Sequence, residues 1–166
     1  MARSDSEATV TQSLIDRLID REPGANSDPG VTRAQSVRLL KQSLRRDLEW
    51  LLNTRQIPDN ADEEFPELSR SLYNYGLPDF SSLSIASTKE RNALLRQLAS
   101  TVQLFEPRLK DVKVSLLEMP NNLTRTLRFQ IEALLMMDPA PEQVSFDTVL
   151  QLTSGEYQIK GDRSAG

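Results

Sequence analysis

Apolar positions recur at helical spacing along the first two thirds of the chain and alternate with polar ones along the last third. Leu14, Ile15, Leu18 and Ile19 fall on one face of a short helix that needs a surface to pack on. The turn formers of 21–30, among them Pro23, Gly24, Pro29 and Gly30, make a loop long enough to let that helix stand apart as an arm, although a core helix fits equally. Val37, Leu40, Leu44, Leu48, Leu51 and Leu52 predict a long amphipathic helix over 35–53, with the only indole, Trp50, near its end. Leu68, Leu72 and Tyr75 predict a short helix over 67–75, closed by Gly76 as a left-handed cap with Pro78 behind it. Ser87 or Thr88 then caps a helix carrying Leu94, Leu95, Leu98, Val102 and Phe105. Pro107 lacks a backbone donor and turns Glu106 away from helical geometry, so that helix ends at about Phe105 or Glu106.

Beyond this corner the period changes to two. Strands are predicted over 110–117, 127–136, 144–152 and 156–160, separated by turn-forming residues such as Pro120, Pro139, Pro141 and Gly155. Val112, Val114 and Leu116 alternate with charged or small residues; Leu127, Phe129, Ile131 and Ala133 do so in the second strand, and Val144, Phe146, Thr148 and Leu150 in the third. Short connections favour an antiparallel meander with one face buried and the last strand at an edge. The expected fold is α+β, with N-terminal helices packed on a small, mainly antiparallel C-terminal sheet. The expected organisation is an arm over 1–30, one domain over 31–160 and a disordered tail over 161–166.

Composition narrows the chemistry. The 166 residues, 38% hydrophobic and 27% charged, suit one globular core. There is no cysteine and no histidine, which removes disulfides, thiolate sites and the commonest general base and metal ligand together. Catalysis would have to rest on carboxylates, lysine, tyrosine or serine. A net charge of -4 gives no broad attraction to phosphate, and Lys41, Arg45 and Arg46 sit beside Leu40, Leu44 and Leu48 as the solvated rim of a helix, so no nucleic-acid site is expected. The acidic stretch over 54–66 lacks the ligand spacing and central glycine of a calcium loop, and neither a metal nor a cofactor is expected. No apolar run is long enough to span a bilayer and the N-terminus lacks a secretory core, so the expected address is cytoplasmic, without membrane insertion.

Chemistry concentrates at Glu106-Pro107-Arg108, where a planar, permanently charged guanidinium leaves the helix end in a direction set by proline. Either Glu106 and Arg108 pair with each other or with neighbouring charges, or they dock a partner. Tyr75-Gly76-Leu77-Pro78-Asp79-Phe80 reads as a rigid turn with aromatic anchors, whose simplest role is packing.

Four segments in order, Asp47 to Arg55, Ser71 to Phe80, Phe105 to Leu109 and Val144 to Thr148, resemble the TssE family of type VI secretion baseplate subunits. That family belongs with the lysozyme-like baseplate wedge proteins of contractile phage tails, and the resemblance runs from about residue 12 to about residue 160. It implies a structural wedge component that docks the other wedge subunits (TssF, TssG and TssK) and helps to start assembly of the sheath (TssB and TssC), in a baseplate at the inner face of the cell membrane. It also implies that Glu106, Pro107 and Arg108 carry the family's assembly motif, which favours docking, with Tyr75, Gly76, Leu77, Pro78, Asp79 and Phe80 as further partner-binding positions. A sheet resembling the strand-exchanging domain of the sheath needs a free edge, and the strands at 144–152 and 156–160 are the expected edges.

The rival is a lysozyme-like peptidoglycan glycosidase. Such an enzyme needs two carboxylates about 5 to 9 Å apart, one with a raised pKa. Glu106 and Asp79 are the carboxylates in motif positions, and Arg108 beside Glu106 favours the charged form, the wrong direction for a general acid. No catalytic residue is therefore assigned.

Overall fold

The computed structural model describes residues 9–20, 23–24, 30–58, 64–80, 87–118, 126–151 and 154–162. Most of the polar N-terminus, of the 21–30 loop and of the expected tail, and the centre of the acidic stretch, lie outside the described residues. The chain divides into two compact units, 1–46 and 47–166.

The first unit holds α1 (Leu14–Leu18) and most of α2 (Arg33–Asn53). Ser13 caps α1 by accepting from the Asp16 N–H at 3.2 Å. The start of α2 is a reciprocal capping box: Thr32 Oγ1 accepts from the Gln35 N–H at 3.3 Å, and Gln35 Oε1 accepts from the Thr32 N–H at 2.9 Å. Leu40 and Leu44 are buried, as the helical stripe requires. The apolar residues of α1 are not: Leu14, Ile15, Leu18 and Ile19 are exposed and Asp16 is the buried one.

In the second unit, α3 (Thr88–Phe105) is capped by Ser87 and leads through the corner into a sheet of β1 (Leu109–Glu118), β2 (Thr126–Leu135), β3 (Glu142–Gln151) and β4 (Glu156–Asp162). The strands pair antiparallel in the order β1-β2-β3-β4, the meander that short connections favour. The observed architecture is the α+β class expected, with each strand within two residues of its expected bounds. The inward face of β2 and β3 is the predicted one, with Leu127, Phe129, Ile131 and Ala133 and then Val144, Phe146, Thr148 and Leu150 buried, and β4 adds Tyr157 and Ile159 to it. Leu48, Leu51 and Leu52 at the end of α2, with Leu94, Leu98 and Val102 of α3, complete this core. Phe129 and Tyr157 meet edge to face at 6.1 Å, and burial pushes the Tyr157 hydroxyl up to about 12.

Three expectations need correction. The helix over 67–75 is instead two 3-10 turns, Pro66–Arg70 and Leu72–Asn74, separated at Ser71, whose backbone is extended (ψ 173°) and whose hydroxyl accepts from the Tyr73 N–H. A hydroxyl that caps the second turn competes with helix continuation, and Leu72 is 85% exposed, so no apolar face rewards a longer helix. Gly76 does take positive φ (109°), but it lies beyond the 3-10 turns as a close-approach position and not as a helix cap.

The third correction concerns the sheet edge. β3 lies between β2 and β4, so the 144–152 segment is an interior strand. β4 is an edge, as expected, yet its outer side is occupied at Tyr157. The Asn53 side-chain amide donates to the Tyr157 carbonyl at 2.9 Å and its oxygen accepts from the Tyr157 N–H at 2.9 Å, as a neighbouring strand would. Arg55 Nη2 donates to the Gly155 carbonyl at 3.1 Å just before it. Asn53→Ala removes both bonds at Tyr157 and is expected to cost about 2 kcal/mol and to lower Tm by roughly 4–8 °C, with faster hydrogen exchange at the Tyr157 amide. Unchanged exchange there would show that the amide does not close the edge.

Candidate functional site

The corner forms where α3 runs out of partners. The Glu106 N–H makes the last helical bond, to the Val102 carbonyl at 2.9 Å, and the Glu106 carbonyl then accepts from Leu109 N–H at 3.0 Å, closing a turn with Pro107 at its exposed tip. The Arg108 carbonyl accepts from Met136 N–H at 2.8 Å and so opens the ladder between β1 and β2. Helix end, turn and first strand thus fix Arg108 on both sides.

Its guanidinium turns back on the chain. Arg108 Nε donates to Glu106 Oε1 at 2.6 Å and Nη2 to Glu106 Oε2 at 2.5 Å, a two-pronged pair, and Nη2 also donates to Asp47 Oδ2 at 2.7 Å. Glu106 is buried, and its Oε1 additionally accepts from the Arg108 N–H at 3.3 Å. These bonds to Glu106, with the charge of Asp47 beside it, raise the pKa of Arg108, which stays charged at every accessible pH. The pairing reading of the corner is therefore what the geometry contains, with Asp47 as a member that sequence reasoning missed. Asp47 lies within a resembling segment, but 61 positions separate it from Arg108 and no local period links them.

Tyr75 joins the same place. Its ring meets Phe105 edge to face at 5.3 Å, and burial, followed by the charges of Asp47 and Glu106, raises the pKa of its hydroxyl. The next residues are bound to the chain leaving α2: Leu77 N–H donates to the Thr54 carbonyl at 2.9 Å and Gln56 N–H to the Leu77 carbonyl at 2.9 Å, a short parallel bridge. Gly76 passes so close that a Cβ there would lie 2.4 Å from the Thr54 carbonyl oxygen. Leu77 is fully buried, Pro78 and Phe80 are half-buried and Asp79 is exposed. The structure thus gathers Tyr75, Glu106 and Arg108 with Asp47 into one cluster, makes Gly76 and Leu77 a structural latch, and leaves Asp79 and the Pro107 tip accessible to solvent.

Both Glu106 oxygens accept from Arg108, so this carboxylate has no oxygen uncommitted to that cation for a glycosidic bond. Among the described residues no three acidic side chains are placed to hold a metal ion, and no helix is long and apolar enough to cross a membrane.

The corner has the make-up of a structural joint between two helices, a turn and a sheet. Residues 38–140 match the family model for Baseplate wedge protein gp25, and the chain belongs to that family. At the family level its role is that of a structural baseplate wedge component, consistent with a TssE-like subunit. The matched span contains Asp47, the 71–80 segment and the corner, and it excludes α1 and the second half of the sheet. Neither a curated protein nor a solved structure matches the chain.

Proposed function

We propose that this chain is the TssE-like wedge subunit of a type VI secretion baseplate, docking the other wedge subunits through the corner and offering a sheet edge on which the sheath begins to assemble. The observation that carries the reading is the cluster of Asp47, Tyr75, Glu106 and Arg108, inside the span that matches the wedge family. A rigid joint, in which two carboxylates hold one guanidinium, presents the exposed Pro107 in a fixed direction, and pre-organisation of that kind reduces the ordering cost of association. In this reading the exposed Pro107 and Asp79, with the half-buried Pro78 and Phe80, form the docking surface, and Glu106, Arg108, Tyr75, Gly76 and Leu77 hold it in shape. TssF, TssG and TssK are the expected wedge partners, and TssB and TssC the sheath partners. Asn53 and Arg55 occupy the outer side of β4 at its start, which favours β1, the opposite edge, for an incoming strand. The work is done in the cytoplasm, at a baseplate held against the inner face of the membrane.

The test is to recover the tagged full-length chain from its host with its bound proteins, beside Pro107→Glu. The substitution places a charge at the exposed tip without touching the pairs of Arg108. Wedge and sheath subunits are expected with the unmodified chain, and the wedge subunits are expected to be lost from the variant at unchanged Tm. Equal recovery by both would move the docking surface away from the corner. Recovery of neither set, from cells that express the machine, would end the secretion reading.

A further inference from the structure

We propose that α1 is a docking helix, held through Ser13 and Asp16 and presenting Leu14, Ile15, Leu18 and Ile19 to an apolar groove on a second, different protein of the wedge. The proposal rests on the wedge reading above and adds a contact outside the corner.

An amphipathic helix ordinarily buries its apolar side. Here the arrangement is reversed. Asp16 is 4% exposed, whereas Leu14, Ile15, Leu18 and Ile19 are 69%, 64%, 75% and 46% exposed. At 100° per residue these four positions share an arc of about 140°, and Asp16 lies outside it. Asp16 is bound in place, while Arg17 and Asp20 are exposed. Arg46 Nη1 lies 2.9 Å from Asp16 Oδ1, Ser13 Oγ donates to Asp16 Oδ2 at 2.5 Å, and the Val10 N–H donates to Ser36 Oγ at 3.0 Å. Burial by itself would raise the Asp16 pKa, but hydrogen bonds from Ser13 and Arg46, the charge of Arg46 and a bond from Ser43 outweigh it and hold the group below its ordinary value. The carboxylate is therefore ionised at neutral pH, and the anchor fixes the helix with its apolar side outward. Such pre-ordering lowers the cost of binding.

The amount of surface decides the occupant. Four such side chains expose on the order of 500 Å², short of the roughly 800 Å² per partner that a stable interface needs, so pairing of two copies through this face does not suffice. A concave groove that wraps anchors at i, i+1, i+4 and i+5 gains more from the same area, as one contact within a larger interface. A lipid surface favours helices with a basic polar side, and here the exposed Arg17 is offset by the exposed Asp20. The family match begins at residue 38, which places α1 outside the shared wedge segment and suits a contact particular to this chain and its partner.

The experiment uses the full-length chain and an immobilised assembly of the remaining wedge subunits from the same host, prepared without this chain, with binding followed by interferometry. L14S/L18S is expected to melt as the unmodified chain does, because both side chains are exposed, and to bind about 30-fold or more weakly. Equal affinity overturns the docking helix while the wedge reading stands. Failure of the unmodified chain to bind overturns the wedge reading, and the docking helix with it. Sedimentation of the chain alone supplies the last outcome: a dimer that L14S/L18S abolishes gives the face to a second copy and overturns the proposal.

Discussion

Arg108→Ala is expected to destabilise the fold by about 3 kcal/mol, because it removes the cation that both oxygens of a nearly buried carboxylate contact. In a chain of this size that corresponds to a fall in Tm of roughly 6–12 °C, read by circular dichroism. Arg108→Lys should fall between, since an ammonium keeps the charge and loses the fork that matches Glu106. A change under about 2 °C for the alanine variant would place the three charges among surface pairs that contribute little. The magnitude bears on function as well as stability. A variant that melts early loses partners for two reasons at once, so the corner's role in docking is read from the exposed Pro107, and Arg108 is read as the residue that sets the corner's shape.

Gly76→Ala should cost at least as much, about 3–5 kcal/mol, with a Tm lower by about 10 °C or more. Two effects add. The backbone sits at φ 109°, which side chains rarely adopt, and the new methyl would lie 2.4 Å from the Thr54 oxygen and 2.8 Å from its carbon. That carbonyl is the one accepting from the Leu77 N–H, so the clash opens the bridge that holds the 75–80 turn. Gly155 offers a control. It also has positive φ (69°), but its close neighbour is the end of the Arg55 side chain, which can move aside. Gly155→Ala is therefore expected to cost about 1 kcal/mol. Equal losses at the two sites would show that φ alone matters and that the approach to Thr54 does not.

Much of this architecture was legible in the residue pattern. The leucine stripe of α2, the serine cap and proline stop of α3 and the alternation of β2 and β3 each rest on a local rule: a side chain's face follows from its position in a period of 3.6 or 2. The 67–75 segment departs from its pattern because its few apolar residues fit a helical period while Ser71 offers the backbone a competing bond. Of the two expected edge strands, 156–160 is one and 144–152 is not, for a different reason. Strand order depends on pairing between distant segments, and nothing in 144–152 distinguishes an interior strand from an outer one until its neighbours are known.

The site divides along the same line. Local chemistry marked Glu106, Pro107 and Arg108, because a proline after an acid and before a guanidinium must end the helix and aim the cation. It also marked Gly76 as a position of positive φ. Only the tertiary structure supplied Asp47 as the third charge, Thr54 as the reason Gly76 has no room for a side chain, and Asn53 as the group closing β4. It alone showed that α1 buries its aspartate and exposes its leucines. The sequence by itself determined which elements form and where they stop, since these follow from interactions within a few residues. Which groups satisfy one another's charges and hydrogen bonds across 61 or 104 positions was decided by packing, because no local period relates residues that meet only after the chain has folded.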